Sequence, residues 1–364
     1  MSLTEGIRLP LFKFGRSSSS NYPYVVARIK GKKRLLLKKE QYQKLLNMTL
    51  SEIALFMEET MYKKEIDELS LTYRGVDLIE MSLYKNLANS HRQILSFSTG
   101  ELKKIIALYI SKWDVYNIKL ILRAAAISIE PKDVINYVVA AGDMDLPLWS
   151  DAVKIRDFNT LIEYLLKTDY GGVIGKWKRE KGTVDNLPIL EDMLDRAYYE
   201  SRVSMMNDSI EAGKIIKDLF RYEIDMVNLT TMLRLKSENI PYEQYKERFI
   251  KYGKDIKMDD IQRLYGMPVR DTLDYVIKIP FYESLKEEAE EYAKEGMLEN
   301  FIRKLENHYD IAEGKISERY PLSPLPVLNY LHLKWIEINN IRIIARGIER
   351  GLSREDISTL LVGV

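Results

Sequence analysis

The chain has 364 residues, no cysteine, a formal net charge of +1, 46% hydrophobic residues and 30% charged ones. This is the composition of a globular chain with a real core, longer than one core usually organises. It excludes a disulfide scaffold and thiolate chemistry, and the longest apolar runs, Ile105 to Ile110 and Val134 to Val139, fall far short of the ~18 residues a spanning helix needs.

Nothing at the N-terminus resembles a secretory signal. Residues 1–21, ending in Arg16-Ser17-Ser18-Ser19-Ser20-Asn21, read as a flexible polar tail. Residues 22–48 read as a basic helical arm interrupted near Gly31. Charge is concentrated here: residues 1–48 carry eleven Lys/Arg and two Glu, a net +9, leaving −8 on the remaining 316. Such an arm could meet anionic lipid headgroups or an acidic partner. The plainer reading is that it packs on its own acidic body, since Tyr24, Val25, Ile29 and Leu35 to Leu37 offer an apolar face.

Three similar stretches follow, residues 49–153, 154–266 and 267–364. Each opens on an amphipathic helix with a polar start. Thr49, Asp157 and Thr272 stand at these starts. The helices run into Thr60-Met61-Tyr62, Thr168-Asp169-Tyr170 and Ile279-Pro280-Phe281-Tyr282. Middle helices are marked by Leu78, Met81, Leu83 and Leu87, by Leu190, Met193, Leu194 and Ala197, and by Met297, Phe301, Ile302 and Leu305. Then comes a signature spelled three times: Asp114, Asn117 and Arg123; Asp225, Asn228 and Arg234; Glu337, Asn340 and Arg346. The acid lies three residues before the Asn, the Arg six after it, and an apolar residue (Ile129, Ile240, Leu352) twelve after it. The asparagines stand 111 and 112 residues apart, and Tyr62, Tyr170 and Tyr282 precede them by 55, 58 and 58. After the signature the chain restarts with Pro131 or Pro241 in a first helical turn, or with the capping-box start Ser353 to Asp356. No strand series is evident. Two anchors in step at this period predict an all-α fold of three similar helical domains by internal triplication.

On a helical wheel the acid falls about 60° from the Asn, with apolar residues at about 40° and 100°, while the Arg falls at about 240° on the other side. A mediocre helix former among apolar neighbours needs hydrogen-bond partners, so the Asn reads as a packing device against a neighbouring backbone. A ligand site gathered on a threefold axis is the alternative, and would make the chain a helical enzyme.

Other constellations carry no chemistry. His91, His308 and His332 have no metal-ligand spacing. Glu287, Glu288, Glu290 and Glu291 read as a solvated face. Gly171-Gly172-Val173-Ile174-Gly175-Lys176 lacks the spacing of a phosphate loop, and Trp177 follows the Lys where Ser/Thr is needed. Its glycines read instead as a C-terminal helix stop. The basic run Lys30 to Lys39 is weak support for nucleic-acid binding on a nearly neutral chain.

Tyr22-Pro23-Tyr24-Val25-Val26-Ala27-Arg28-Ile29, Thr60-Met61-Tyr62 and Asp114-Val115-Tyr116-Asn117-Ile118-Lys119 with Leu122-Arg123 together resemble a known family. It is that of the C subunit of archaeal/vacuolar-type ATP synthases, equivalent to the vacuolar ATPase d subunit. Val26 stands where the family often has Asn, and Pro280-Phe281-Tyr282 departs from Thr-x-Tyr. The resemblance implies a non-catalytic rotor component, three helical domains set as a pseudo-threefold funnel on the cytoplasmic face of the membrane. Its implied partners are the central shaft subunits D and F and the membrane proteolipid ring (c/K-type), within a hetero-oligomeric complex holding one copy. No cofactor, metal, nucleic acid or small-molecule substrate is implied. A general helical-repeat scaffold with unrelated partners is the competing reading, though solenoid repeats are usually shorter, about 20–50 residues.

Overall fold

Side-chain caps start several helices where the sequence places them. Thr49 accepts from the Glu52 amide at 3.3 Å while Glu52 accepts from the Thr49 amide at 2.7 Å, opening the helix Leu50–Glu58. Asp157 caps Phe158–Leu165 through the Thr160 amide at 2.8 Å, and Ser353 caps Arg354–Thr359 through the Asp356 amide at 3.1 Å. The computed structural model describes residues 20–180, 182–206 and 211–363, and these are helical or irregular with no strand among them. Most of the tail read over residues 1–21 lies outside the described residues. Ser20 and Asn21 do not: Ser20 Oγ accepts from the Glu101 and Leu102 amides, and Asn21 Oδ1 accepts from the Thr99 amide.

Four local expectations are corrected. The arm helix, Tyr22–Lys33, runs straight through Gly31, and the chain turns at residues 34–38 before Lys39–Leu45. A lone exposed glycine costs a helix only about 1 kcal/mol, whereas the Leu37 amide leaves the helical ladder to donate to Glu337. Gly171 and Gly172 open the helix Gly171–Glu180 instead of ending one, because the turn at Thr168 to Tyr170 has already closed the preceding helix. Thr272 lies inside Val269–Val276, its hydroxyl held by the Leu264 and Pro268 carbonyls at 3.1 Å each. Pro241 sits just before its helix, Tyr242–Tyr245, rather than in the first turn.

The chain divides into two compact units. Among the described residues one is the single stretch Thr168–Tyr320. Its long helices are Leu187–Ser204, Glu211–Ser237 and Leu298–Arg319. One core cluster joins Leu229, Met232 and Leu233 to Leu273, Tyr282, Phe301, Ile302 and Leu305. The other unit is discontinuous, combining the described residues up to Lys167 with those from Pro321 onward. In it Leu325–Glu349 packs along Gly75–Phe97 and against Tyr22–Lys33, Lys39–Leu45 and Leu50–Glu58. Trp113 and Trp335 meet edge to face in this core with ring centroids 5.0 Å apart.

The last helix docks on Leu325–Glu349 at Gly347. A Cβ there would stand 2.5 Å from Ile357 Cγ1 and 2.7 Å from its Cδ1. Gly347→Val is therefore expected to destabilise this unit by about 1–3 kcal/mol through overpacking. Hydrogen exchange should show Arg354–Thr359 losing protection first, and unchanged protection would refute the close docking.

Candidate functional site

The three signature asparagines lie on Lys112–Ala126, Glu211–Ser237 and Leu325–Glu349, and all three are buried. Each makes the same paired contact with a residue 22 positions on. Asn117 donates to the Val139 carbonyl and accepts from the Val139 amide, both at 2.9 Å. Asn228 does so with Ile250 at 2.8 and 2.9 Å, and Asn340 with Val362 at 2.8 and 2.9 Å. A primary amide matches a peptide group in donor and acceptor. It can thus satisfy both polar atoms of one residue that belongs to no helix.

The acids act one turn earlier on the same face. Asp114 accepts from the Asp143 amide at 2.7 Å, and Asp225 from the Asp255 amide at 2.7 Å and the Ile256 amide at 3.3 Å. A glycine lets each loop come this close: a Cβ on Gly142 or Gly253 would stand 2.2 Å from the Asp114 or Asp225 Oδ1. Burial pushes the Asp225 carboxyl up to about 7, against the lowering effect of its two backbone donors.

The third acid has a different environment. Glu337 accepts from the Tyr62 hydroxyl at 2.5 Å, the Lys334 ammonium at 3.1 Å and the Leu37 amide. Lys334 also donates to the Tyr62 hydroxyl at 2.7 Å. All three side chains are buried. Burial pulls the Lys334 ammonium down to about 8, opposed by Glu337, and burial followed by Glu337 raises the Tyr62 phenol well above its usual value.

The arginines lie on the opposite side of their helices. Arg346 forms a fork onto buried Glu80, with Nε at 3.0 Å and a second nitrogen on the other oxygen, while Arg342 adds a contact at 3.2 Å. Arg234 reaches Glu299 at 3.1 Å on the surface, and Arg123 is exposed. The tyrosines are buried in all three places. In two of them the Thr hydroxyl of Thr-x-Tyr accepts the Tyr amide at 3.3 Å, Thr60 to Tyr62 and Thr168 to Tyr170. Where Pro280 replaces that Thr turn, the Tyr282 amide donates to the Ile279 carbonyl at 2.8 Å in a 3₁₀ turn.

Asn117 and Asn340, in the discontinuous unit, hold separate segments, as does Asn228 in the other unit. Among the described residues no group of three or more His, Cys, Asp or Glu could hold a metal ion. His91 is buried beside Trp113, and His308 Nδ1 lies 3.0 Å from the Ser284 hydroxyl. Sequence reasoning missed Gly142, Gly253, Lys334 and Glu80. The glycines had a legible signal, since both fall 25 residues after their Asn. Glu80 had none, because Arg342 and Arg346 are remote in sequence, and Lys334 showed only its spacing of three from Glu337, its Tyr62 contact being remote.

Removing a clamp exposes its cost. Asn228→Ala leaves the buried Ile250 amide and carbonyl unpaired at about 1–3 kcal/mol each, so urea unfolding should show a loss of about 2–5 kcal/mol. A loss under about 1 kcal/mol would mean the clamp is dispensable. Asp225 yields a pH test with a definite sign. Between its unfolded value near 3.8 and about 7 the folded chain keeps a proton that the unfolded chain releases. Its contribution therefore falls as pH rises through that window. Asp225→Asn is expected to flatten the stability profile there, as read by denaturation at pH 4 to 7.

The family described as ATP synthase (C/AC39) subunit matches residues 25–360. The A-type ATP synthase C subunit of Methanococcoides burtonii is 32% identical, covering 95% of both chains. The protein of the same name in Archaeoglobus fulgidus is 32% identical over 95% of this chain and 98% of its own. That of Haloferax volcanii is 30% identical over 95% and 99%. A chain matched end to end in this way, whose buried polar groups serve packing, belongs to the ATP synthase C/AC39 family, a structural and non-catalytic part of a hetero-oligomeric rotary complex.

Proposed function

We propose that this chain is the socket of the central stalk in an A/V-type ATP synthase, joining shaft subunits D and F to the membrane proteolipid ring on its cytoplasmic face. Three helical domains, one per sequence repeat, stand about a pseudo-threefold axis as a funnel. The funnel receives the shaft and turns with the ring, so that rotation at one end is passed to proton or sodium movement at the other. The acidic body lines the socket against basic shaft residues. The buried asparagines, acids and tyrosines of the signatures hold the helices rigid and touch neither partner.

The observation that carries this reading is the family match across residues 25–360. Its physical support is the way polar groups are spent. A coupling part must resist shear, and here buried polar contacts tie the last signature helix to the first repeat, Glu337 and Lys334 with Tyr62, and Arg346 with Glu80. Among the described residues no helix is long and apolar enough to cross a membrane, which suits a peripheral part.

Reconstitution provides the test. A complex rebuilt without this chain should hydrolyse ATP yet move no ions, and adding the chain should restore transport. Lys334→Met, which strips a buried carboxylate of its cation at a cost of about 3–5 kcal/mol, should lower the ions moved per ATP before it lowers hydrolysis. Coupled transport without the chain, or a chain that captures neither shaft nor ring, would refute the proposal and favour a general scaffold.

A further inference from the structure

The basic arm resolves a question that the sequence left open. Its helix Tyr22–Lys33 buries Val25, Val26 and Ile29 and packs against Leu325–Glu349. The arm is therefore docked by its apolar face, not by charge. Its cations include Arg28, Lys30, Lys32, Lys33, Arg34, Lys38 and Lys39, with no acidic residue between positions 22 and 39. The three with a side-chain partner use neutral ones: Arg28 the Tyr24 hydroxyl and Phe97 ring, Lys32 the Gln93 carbonyl, Lys33 the Asn329 carbonyl. Lys30, Arg34, Lys38 and Lys39 are exposed. Between them in the chain Leu35 is 61% exposed.

Two ordinary explanations cover part of this. Cations in a last helical turn complement the carbonyl end of the helix, which accounts for Lys30, Lys32 and Lys33. Exposed single hydrophobics are common. Neither accounts for cations continuing through the turn and into the next helix, with no ion pair among the described residues, around an exposed Leu. Long exposed cationic stems flanking an exposed aliphatic side chain match an interface of phosphate headgroups over acyl chains.

We propose that Lys30, Arg34, Lys38 and Lys39, with Leu35 between them, form a surface that rests on the anionic phospholipid headgroups of the bilayer. This rests on the stalk reading above for its setting, since that reading brings the chain to a membrane. The cations supply long-range attraction and Leu35 dips into the headgroup layer. An acidic protein face would pair with the same cations but gives Leu35 no apolar medium to enter.

The test uses the purified full chain and sedimentation with vesicles of phosphatidylcholine alone or with about one-third phosphatidylglycerol. Binding is expected only to the anionic vesicles, falling steeply as salt rises. At about fivefold per cation, Lys30→Gln/Arg34→Gln/Lys38→Gln should weaken partitioning about a hundredfold. Leu35→Ser should weaken it with charge unchanged, whereas Arg179→Glu/Lys278→Glu, remote in sequence, should leave it intact. Melting curves matching the wild type confirm that the variants are folded. Equal binding to both vesicle types, no binding to anionic ones at low salt, or an unaffected triple variant would overturn the proposal. A chain that ignores vesicles yet captures isolated proteolipid ring in detergent would also overturn it while leaving the stalk reading standing. Binding to anionic vesicles without capture of ring or shaft would do the reverse.

Discussion

An all-helical protein must return its backbone after each long helix, and the returning residues have no ladder to satisfy their polar groups once buried. Here that demand is met by one device. A buried asparagine 22 residues earlier offers its amide as a substitute peptide group to Val139, Ile250 and Val362. The rest of each signature follows from it. A carboxylate one turn away can reach amides as well, and Asp114 and Asp225 take those that come next in their loops. The loop can lie that close only where a glycine leaves out a Cβ. The apolar residues beside the Asn then close over the pair.

The same logic explains why Glu337 is the longer acid. With Leu37, Tyr62 and Lys334 around it, its carboxylate serves three donors from different parts of the chain. A carboxylate buried alone would cost several kcal/mol. Buried with an ammonium, a phenol and a backbone amide, it becomes a joint instead. Glu80 and Arg346 make a second joint on the other side of the same helix, and there the bidentate fork fixes orientation as well as distance.

Much of this was legible in the sequence, and what was not has identifiable causes. Helical periodicity and caps at Thr49, Asp157 and Ser353 are local, so they survive reading one residue at a time. The wheel placed Asn117, Asn228 and Asn340 on an apolar face, because burial of a helix face leaves its mark at 3.6-residue spacing. Gly31 misled because an exposed glycine is tolerated in a helix, and the true break at residues 34–38 is set by Glu337, about three hundred positions away. Thr272 misled because a hydroxyl that can cap a helix can also bond carbonyls inside one. The pairing of Arg346 with Glu80 and of Lys334 with Tyr62 was hidden for the same reason as the break: nothing local predicts a contact across the whole chain.

The discontinuity of one unit has a consequence for how the protein is made. Among the described residues, the unit Thr168–Tyr320 is a single stretch and can fold as soon as it leaves the ribosome. In the other unit the segments up to Lys167 come before that stretch and the central helix, Leu325–Glu349, comes after it. At roughly 5–20 residues per second, the helix Gly75–Phe97 waits on the order of ten seconds or more with Glu80 lacking its arginines and an apolar face uncovered. That interval is when a chaperone would have the most to hold, and when a truncated transcript would do the most harm.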